Sequence, residues 1–319
     1  MAIVLGPNRY GKAESRVVRI FRDAPRHEIR DLNVSTALRG RFEAAHTDGD
    51  QAEVLPTDSQ KQTVYAYAKT KAWDSIEEYA LALAGHFVDD IEPVHSARVE
   101  IEQFAWERVL VDGAEHDHTW VRRGPEVRTA AVTVEGTGED RRTWVVGGIK
   151  DLTILKSTGS EFHGFLQDPY TVLEPTTDRV MATSLNAGWR FSADDPGAGA
   201  DAGSDAGAGA GAAVDWNAAY TAVRKALVET FATLHSLALQ QTLYAMGRAA
   251  LAACPSLAEI RLSAPNKHHF VYDLARFGIE KPGEVFHADD RPYGLIQATV
   301  MHDDAEDAGP AWDSYTGLV

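Results

Sequence analysis

Two pairs of helical segments, each flanked by strand-like segments, constrain the fold of this chain more than any other feature of its sequence. The predicted helices cover 58–70, 75–90, 215–234 and 236–253. In the second of them the apolar residues recur at helical spacing, at Ile76, Tyr79, Ala80, Leu83 and Phe87. Such a helix must bury its apolar face against another layer, which the flanking strands can provide. The sequence therefore predicts an α+β fold in which helix pairs cover antiparallel sheets.

The strands are predicted from alternating polarity and from the turn residues that bound them. They cover 15–22, 27–34, 37–47, 94–111 and 127–136 in the first half, and 141–156, 178–192, 257–263, 269–275 and 293–301 in the second. Val99 and Ile101 alternate with glutamates, which gives one apolar and one solvated face. Because Phe104 and Trp106 continue in the opposite phase, we expect a β-bulge near them.

Polar residues mark the predicted starts of the helices. Asp74 and Glu77 match the capping-box pattern before the second helix, and Asp215 is placed to cap the third. Thr57 and Gln60 have the same capping-box spacing at the start of the first helix. These residues can satisfy the backbone N–H groups that a helix leaves free at its N-terminus.

The length of 319 residues is enough for about two domains. We predict a first domain over 1–138 and a second over 139–302, each an antiparallel sheet with two helices. The acidic segment 303–319 is predicted to be a mobile tail. Residues 194–213 are almost exclusively Gly, Ala, Asp and Ser. Such a composition predicts a flexible surface loop within the second domain.

The charge of the chain narrows the choice of partners. With 47 acidic and 31 basic residues, its formal net charge is −16, so nucleic acid and anionic membranes are poor partners. Cys254 is the only cysteine, which excludes an intramolecular disulfide and favours a cytoplasmic setting. A signal peptide and a membrane span are not expected, and the end Gly317-Leu318-Val319 differs from the Ser-Lys-Leu peroxisomal address.

Three histidine-containing segments are candidates for metal sites. They are His116-x-His118, His268-His269 and His287–Asp290, and none has the spacing of a zinc site with a third ligand nearby. The sequence also has no glycine-rich phosphate loop and no dinucleotide fingerprint. We therefore predict no metal and no cofactor.

Three short segments, at 9–12, 55–59 and 265–268, each place a proton-handling side chain next to a residue that fixes the backbone, and four further segments accompany them at 152–158, 162–166, 168–171 and 177–179. In order and spacing they resemble the urate oxidase (uricase) family, over roughly Arg9 to Val300. The resemblance implies the tunnelling fold, with two tandem domains per chain and a barrel closed by assembly into a homotetramer. It also implies that urate and O2 are the substrates, that 5-hydroxyisourate and hydrogen peroxide are formed without a cofactor, and that the active sites lie at subunit interfaces.

The resemblance implies a proton relay of Lys12, Thr57 and His268, with Asn266 and Thr57 at an oxygen or water site. Each residue also has an ordinary interpretation. Lys12 could be a solvated surface lysine, Thr57 a helix cap, and His268 a surface or capping residue. Asn266 after Pro265 is good turn chemistry. Histidine suits a relay because it changes charge near neutral pH.

The substrate contacts implied by the resemblance are a stacking Phe162, a planar clamp of Arg179 and Gln240, the backbone of Asp58 and Leu239, and the side chains of Thr57 and Asn266. The resemblance also implies that Lys12 and Thr57 come from a neighbouring chain relative to Phe162 and Arg179. A purine stacks well on an aromatic face, and a guanidinium fork matches its anionic edge. Glutamine offers both a donor and an acceptor. The ordinary alternatives are a core Phe162 and a surface ion pair of Arg179 with Asp178. Leucine stands at 239 where the family pattern leads us to expect valine, which matters little for a backbone contact.

Two other functions remain open at this point. One is another tunnelling-fold enzyme acting on a pterin or purine, such as a pyruvoyl-tetrahydropterin synthase or a GTP cyclohydrolase. Those enzymes use zinc or a different relay, and this chain lacks a convincing set of three histidines. The other is a catalytically silent purine-binding protein, which would keep the clamp but lose the relay.

Overall fold

The computed structural model describes residues 1–192, 214–280 and 283–315. The chain forms two compact units, of which unit 1 comprises Met1–Gly148, Trp189–Tyr220 and Ala305–Val319, and unit 2 comprises Ile149–Gly188 and Thr221–Asp304. The predicted flexible loop at 194–213 lies outside the described residues. The division into tunnelling-fold domains between residues 138 and 139 stays a prediction.

The described residues contain ten strands and five α-helices. The strands are β1 (Tyr10–Phe21), β2 (Glu28–Gly40), β3 (Val94–Val111), β4 (Ala114–Glu135), β5 (Arg142–Lys156), β6 (Met181–Phe191), β7 (Leu257–Pro265), β8 (His268–Val271), β9 (Phe286–Asp289) and β10 (Leu295–Met301). The helices are α1 (Glu43–Thr47), α2 (Thr57–Thr70), α3 (Ile76–Asp89), α4 (Trp216–Thr233) and α5 (Leu239–Ala253).

In unit 1 the strands follow the order β1-β2-β3-β4-β5, and β1 to β4 pair antiparallel. Helix α2 packs on β1, and α3 packs on β3 and β4. On α3 the side chains of Tyr79, Leu83 and Phe87 are fully buried. Burying a side chain of this size contributes about 1.5 to 3 kcal/mol. The apolar spacing that predicted this helix therefore marks the face that holds it to the sheet.

Two predictions about strands meet different outcomes in unit 1. The predicted bulge is confirmed, since the β3–β4 register shifts between Phe104 and Trp106. The predicted strand at 37–47 is wrong, because β2 ends at Gly40 and the short helix α1 follows. Alanine-rich residues with a glutamate at the first position favour that helical turn over an extended strand.

The capping box predicted for α3 is wrong by one residue. Ser75 is the N-cap, its side chain accepts a hydrogen bond from the Glu78 backbone N–H, and the Glu78 carboxylate accepts one from the Ser75 N–H. Glu77 is buried instead and pairs with Arg128 at 2.7 Å. The cap predicted for the third helix is confirmed, because Asp215 accepts from the backbone N–H of Ala218 at 2.9 Å.

Unit 2 has the strand order β5-β6-β7-β10, together with a separate β8–β9 hairpin. Strands β7 and β10 pair antiparallel, and helix α5 packs on both. A Cβ on Gly247 of α5 would lie 2.5 Å from Val300 Cγ2, so this glycine lets the helix approach β10 closely. The predicted combination of an antiparallel sheet with a helix layer is confirmed in both units.

The segment that follows Asp304 is packed on unit 1 as far as Tyr315. Ala311 is fully buried against Ala131 and Val146, and its carbonyl accepts from Arg98 Nη1 at 3.2 Å. The backbone N–H of Tyr315 donates to Glu100 at 2.9 Å. Over 305–315 this differs from the mobile tail expected for 303–319, because composition counts acidic residues but does not reveal one well-packed alanine. Residues 316–319 lie outside the described residues. In the part of the chain that the structure describes, no helix combines the length and apolar character needed to cross a membrane.

Candidate active site

Lys12 lies where strand β1 is distorted. It pairs with Thr36 of β2, and the register then shifts before Ser15. Within this bulge Glu14 has a φ of 58°, and its backbone N–H donates to Ser35 Oγ at 2.9 Å. A β-bulge redirects the side chains beside it, which makes the Lys12 side chain part of an irregular local structure rather than of a regular strand face.

Thr57 is the first residue of α2, and the capping-box interpretation of this threonine is wrong. The N-cap is Pro56, and no side chain caps the helix. Gln60, which the capping box required, is fully buried, and its Oε1 accepts from Thr36 Oγ1 at 2.8 Å. The free N–H groups at this helix start and the hydroxyl of Thr57 therefore remain available for an anionic ligand.

Tyr10, a residue that no sequence pattern marks as functional, holds the segment before Thr57 on strand β1. Its hydroxyl donates to the carbonyl of Leu55 at 2.9 Å, and its ring packs edge-on against Phe42 at 4.8 Å between centroids. Burial raises the pKa of the Tyr10 phenol. Together with the Thr36–Gln60 bond, this contact brings the segments that carry Lys12 and Thr57 to one place.

The electrostatics of the α2 start are consistent with that placement. The pKa of the Asp58 carboxyl is lowered, first by its hydrogen bond from Lys61 and then by one from Gln62, and the positive charge of Lys12 adds a smaller effect. Lys12 therefore contributes to the positive field at the first turn of α2, where the helix dipole has the same sign.

Gly11 is expected to be essential for this arrangement. A Cβ at this position would lie 1.8 Å from the backbone oxygen of Thr36, so the β1–β2 pair would have to separate beside Lys12. We expect Gly11→Ala to lower the free energy of unfolding by about 1 to 3 kcal/mol, measured by urea denaturation. Gly124→Ala is the control, since a Cβ there meets nothing within 4 Å. Equal stability of the two variants would contradict the packing argument.

Phe162 lies in unit 2, on a segment held by backbone hydrogen bonds rather than in a hydrophobic core. Its N–H donates to Thr176 O at 2.8 Å, and its carbonyl accepts from Thr176 N at 2.9 Å. The ring is partly exposed and stacks on Phe165, with 5.0 Å between centroids and 13° between planes. The core interpretation is therefore wrong, and a planar ligand can stack on such a partly exposed ring.

Arg179 lies beside Phe162. Its guanidinium carbon is 5.2 Å from the centroid of the Phe162 ring, and its Nε donates to Ser160 Oγ at 3.3 Å. The surface pair with Asp178 is not what the structure shows, since Asp178 accepts from Thr158 Oγ1 at 2.8 Å. Burial lowers the pKa of Arg179, which nevertheless stays fully charged at neutral pH. A half-buried cation next to an aromatic face suits an anionic planar ligand.

Leu239 and Gln240 begin helix α5, whereas the sequence had predicted a helix from residue 236. Leu239 is buried and Gln240 is exposed. The N-cap Ala238 provides no side-chain bond, while the Leu237 N–H donates to Gln241 Oε1 at 2.8 Å. The Gln240 side chain is thus free of a capping role and can contact a ligand.

Asn266 and His268 lie at the end of β7 and the start of β8. The Asn266 N–H donates to the carbonyl of Gly294 at 2.8 Å, and Asn266 forms an antiparallel β-bridge with Thr183. Asn266 Nδ2 is 3.5 Å from His268 Nδ1, and the His268 ring stacks on Phe270 at 5.6 Å. The structure therefore brings these two predicted residues together on a constrained backbone.

The predicted site residues fall into two groups. Unit 1 contains Lys12, Thr57 and Asp58, and unit 2 contains Phe162, Arg179, Leu239, Gln240, Asn266 and His268. Among residues 1–192, 214–280 and 283–315, no three His, Cys, Asp or Glu side chains cluster as metal ligands would.

Known proteins are similar to this chain over most of its length. The sequence model of the uricase family matches residues 8–133 and 145–297. The chain is 46% identical to the uricase of Arthrobacter globiformis over 99% of its own length and 96% of that protein, and 33% identical to the uricase of Dictyostelium discoideum over 92% and 96%.

Solved structures give the same result. The crystal structure of the Arthrobacter globiformis uricase has a TM-score of 0.87, with 98% of this chain and 100% of that chain covered. A uricase from Bacillus fastidious, at 25% identity, has a TM-score of 0.76 over 93% and 94%. The predicted α+β fold is therefore confirmed, and the chain belongs to the uricase family.

Proposed function

We propose that this protein oxidises urate with O2 and water, forming 5-hydroxyisourate and hydrogen peroxide without a cofactor. Two electrons pass from urate to O2, and water supplies the hydroxyl group of the product. The observation that carries the proposal is the family match over both halves of the chain. The sequence also contains a residue of the expected kind at all nine predicted site positions. The ordered surroundings of Phe162 and Arg179 support a substrate clamp at this position.

In this proposal Phe162 stacks on the purine ring while Arg179 and Gln240 hold it in the plane. The backbones of Asp58 and Leu239 complete the contacts at the edges. A clamp of this kind accelerates a reaction by fixing the orientation of the reactants. The half-buried guanidinium of Arg179 favours the anionic form of urate over a neutral purine.

Lys12, Thr57 and His268 form the proposed proton relay. Removing a proton makes the purine ring electron-rich enough to reduce O2 directly, and the relay is the base that accepts this proton. Asn266, with Thr57, would hold O2 and then water above the ring. The 3.5 Å separation of Asn266 Nδ2 and His268 Nδ1 supports a polar site shared by these two residues.

The protein is also proposed to work as a homotetramer with active sites at the subunit interfaces. Apolar side chains in the segment after Phe162 are strongly exposed in the single chain, with Leu166 at 94%, Tyr170 at 87% and Val172 at 91%. Soluble proteins rarely leave such a cluster in water unless a partner covers it. These exposed side chains support assembly, and the number of four subunits is inferred from the family resemblance.

The decisive experiment follows the urate absorbance band in air with protein treated with a chelator, alongside a peroxide assay. We expect loss of the band, peroxide in equal amount to the urate consumed, and no effect of the chelator. Urate binding without turnover would indicate the silent purine binder. Absence of binding would favour a different tunnelling-fold enzyme.

A further inference from the structure

We propose that Lys156 is a positioning residue for the substrate clamp. It joins the segment that carries Phe162 to the segment that leads to Gln240, although it contacts neither side chain directly. This inference rests on the proposed function, because it assumes that these residues hold the purine. All the contacts that carry it lie within unit 2.

The ammonium group of Lys156 makes a dense set of contacts at the end of β5. Its Nζ donates to Ser236 Oγ at 2.6 Å, to the carbonyl of Leu234 at 2.7 Å and to that of Phe231 at 3.4 Å. Phe231 lies in the last turn of α4 and Leu234 follows that helix directly, at an end where a cation is favoured. An ammonium has three N–H donors, so the three acceptors match its capacity.

Ser236 joins this contact to the Phe162 segment. Its backbone N–H donates to the carbonyl of Gly159 at 2.9 Å, and its own carbonyl accepts from Glu161 N at 2.8 Å. Ser160, between these two residues, forms a parallel bridge with Ser236. Phe162 follows this short ladder directly along the chain. Fixing Ser236 therefore fixes the backbone from which the stacking ring projects.

Ser160 and Ser236 also contact the segments that carry the other two clamp residues, Arg179 and Gln240. The carbonyl of Ser160 accepts from the Arg179 N–H at 2.8 Å, and its hydroxyl accepts from Arg179 Nε. On the other side, Ser236 Oγ is 2.8 Å from Thr242 Oγ1, a buried residue of α5, the helix that carries Gln240. Both serines are fully buried. The Lys156–Ser236–Ser160 junction thus underlies all three clamp side chains.

The choice of lysine has a physical reason. Burial lowers the pKa of Lys156, so placing a charge here has a desolvation cost that the three acceptors offset. A neutral side chain of the same length would leave the α4 carbonyls and Ser236 without this donor. The junction would then loosen, and the clamp residues would lose their common orientation.

The test compares Lys156→Met with the wild-type enzyme. Methionine keeps the length of the side chain and removes every donor. We expect the KM for urate and the Ki for xanthine, a purine of the same shape without the C8 oxygen, to rise about tenfold, because charge-assisted hydrogen bonds are worth this much. We expect kcat to change by less than about threefold, since the relay residues are untouched.

Two further variants keep the test decisive. Lys225→Met removes an exposed lysine of α4 that pairs only loosely with Glu229, at 3.9 Å, and is expected to leave both constants unchanged. Ser236→Ala removes the hydroxyl that accepts from both Lys156 and Thr242, and it should raise the Ki for xanthine by about threefold. In the Lys156→Met background the added effect should be smaller, because the bond from the lysine is already lost. Ser236→Ala replaces Lys156→Met as the test of the inference if Lys156→Met does not fold.

The outcomes separate this inference from the proposed function. If Lys156→Met folds but keeps a wild-type Ki for xanthine, or loses only kcat and thermal stability, Lys156 is merely structural and the inference is overturned. If Lys156→Met does not fold and Ser236→Ala keeps a wild-type Ki, the inference is likewise overturned. A wild-type protein that neither oxidises urate nor binds xanthine would instead overturn the proposed function.

Discussion

Lys12→Ala is expected to lower kcat for urate oxidation by about 100- to 10,000-fold, the range that a positioned proton-transfer group contributes. The Ki for xanthine should stay within about twofold, because the proposed clamp residues other than Asp58 lie in unit 2. The effect is expected because Lys12 lies in the β1 bulge and its charge acts on the start of α2, where Thr57 lies. Steady-state kinetics with urate and xanthine inhibition measure both quantities.

The matched control for this prediction is Lys69→Ala. Lys69 is an exposed lysine in the last turn of α2, at the opposite end of the helix from Thr57, and its removal should leave turnover unchanged. If Lys12→Ala keeps kcat within about threefold of the wild type, Lys12 has no part in proton transfer. If kcat falls and the Ki for xanthine rises together, Lys12 supports the structure of the site instead.

The site shows where sequence patterns succeed and where they fail. The spacing of Thr57 and Gln60 is that of a capping box, which is a purely local pattern. The Gln60 side chain instead accepts a hydrogen bond from Thr36 of strand β2. A buried tertiary hydrogen bond outweighs the roughly 1 kcal/mol that a cap provides. The resemblance compares whole segments, whereas the local pattern describes only one turn, and the role that the resemblance implies for Thr57 stays a prediction.

The apolar face of an element was predictable from its spacing. Helix α3 follows its periodicity closely, and Val99 and Ile101 are buried in β3 as their spacing predicts. The solvated face predicted opposite them is wrong, because Glu100 and Glu102 are buried as well. The first half of β4, over 114–126, was missed because it is largely exposed and carries charged residues and histidines, so no alternation marks it. Its pairing with β3 reveals it as a strand, and such pairing is invisible in a single sequence.

The supporting contacts behind the clamp were also beyond sequence reasoning. Lys156 was part of a segment that indicated the family, but no role followed from its type. Its partner Ser236 is 80 residues away, and Ser160 faces that serine through backbone bonds alone. Backbone pairing between distant loops leaves no pattern of residue types. The same holds for the Tyr10 hydroxyl on the carbonyl of Leu55.

Mixing two inactive variants is expected to restore activity, because the resemblance assigns Lys12 and Thr57 to one subunit of each site and Phe162 and Arg179 to its neighbour. Lys12→Ala and Arg179→Gln should each be nearly inactive when expressed alone. If they are co-expressed and assemble at random, about one quarter of the sites combine an intact half from each subunit. We expect turnover near that fraction of the wild-type value.

The matched control for this mixing experiment co-expresses Phe162→Ala with Arg179→Gln. Both changes fall in the same half, so no combination of subunits produces an intact site, and turnover should stay at the level of the variants alone. Recovery in this control would mean that the variants complement by another route. A lack of recovery with Lys12→Ala and Arg179→Gln would mean that each chain supplies its whole site. A monomeric form could then be active, and the exposed apolar cluster after Phe162 would serve stability rather than catalysis.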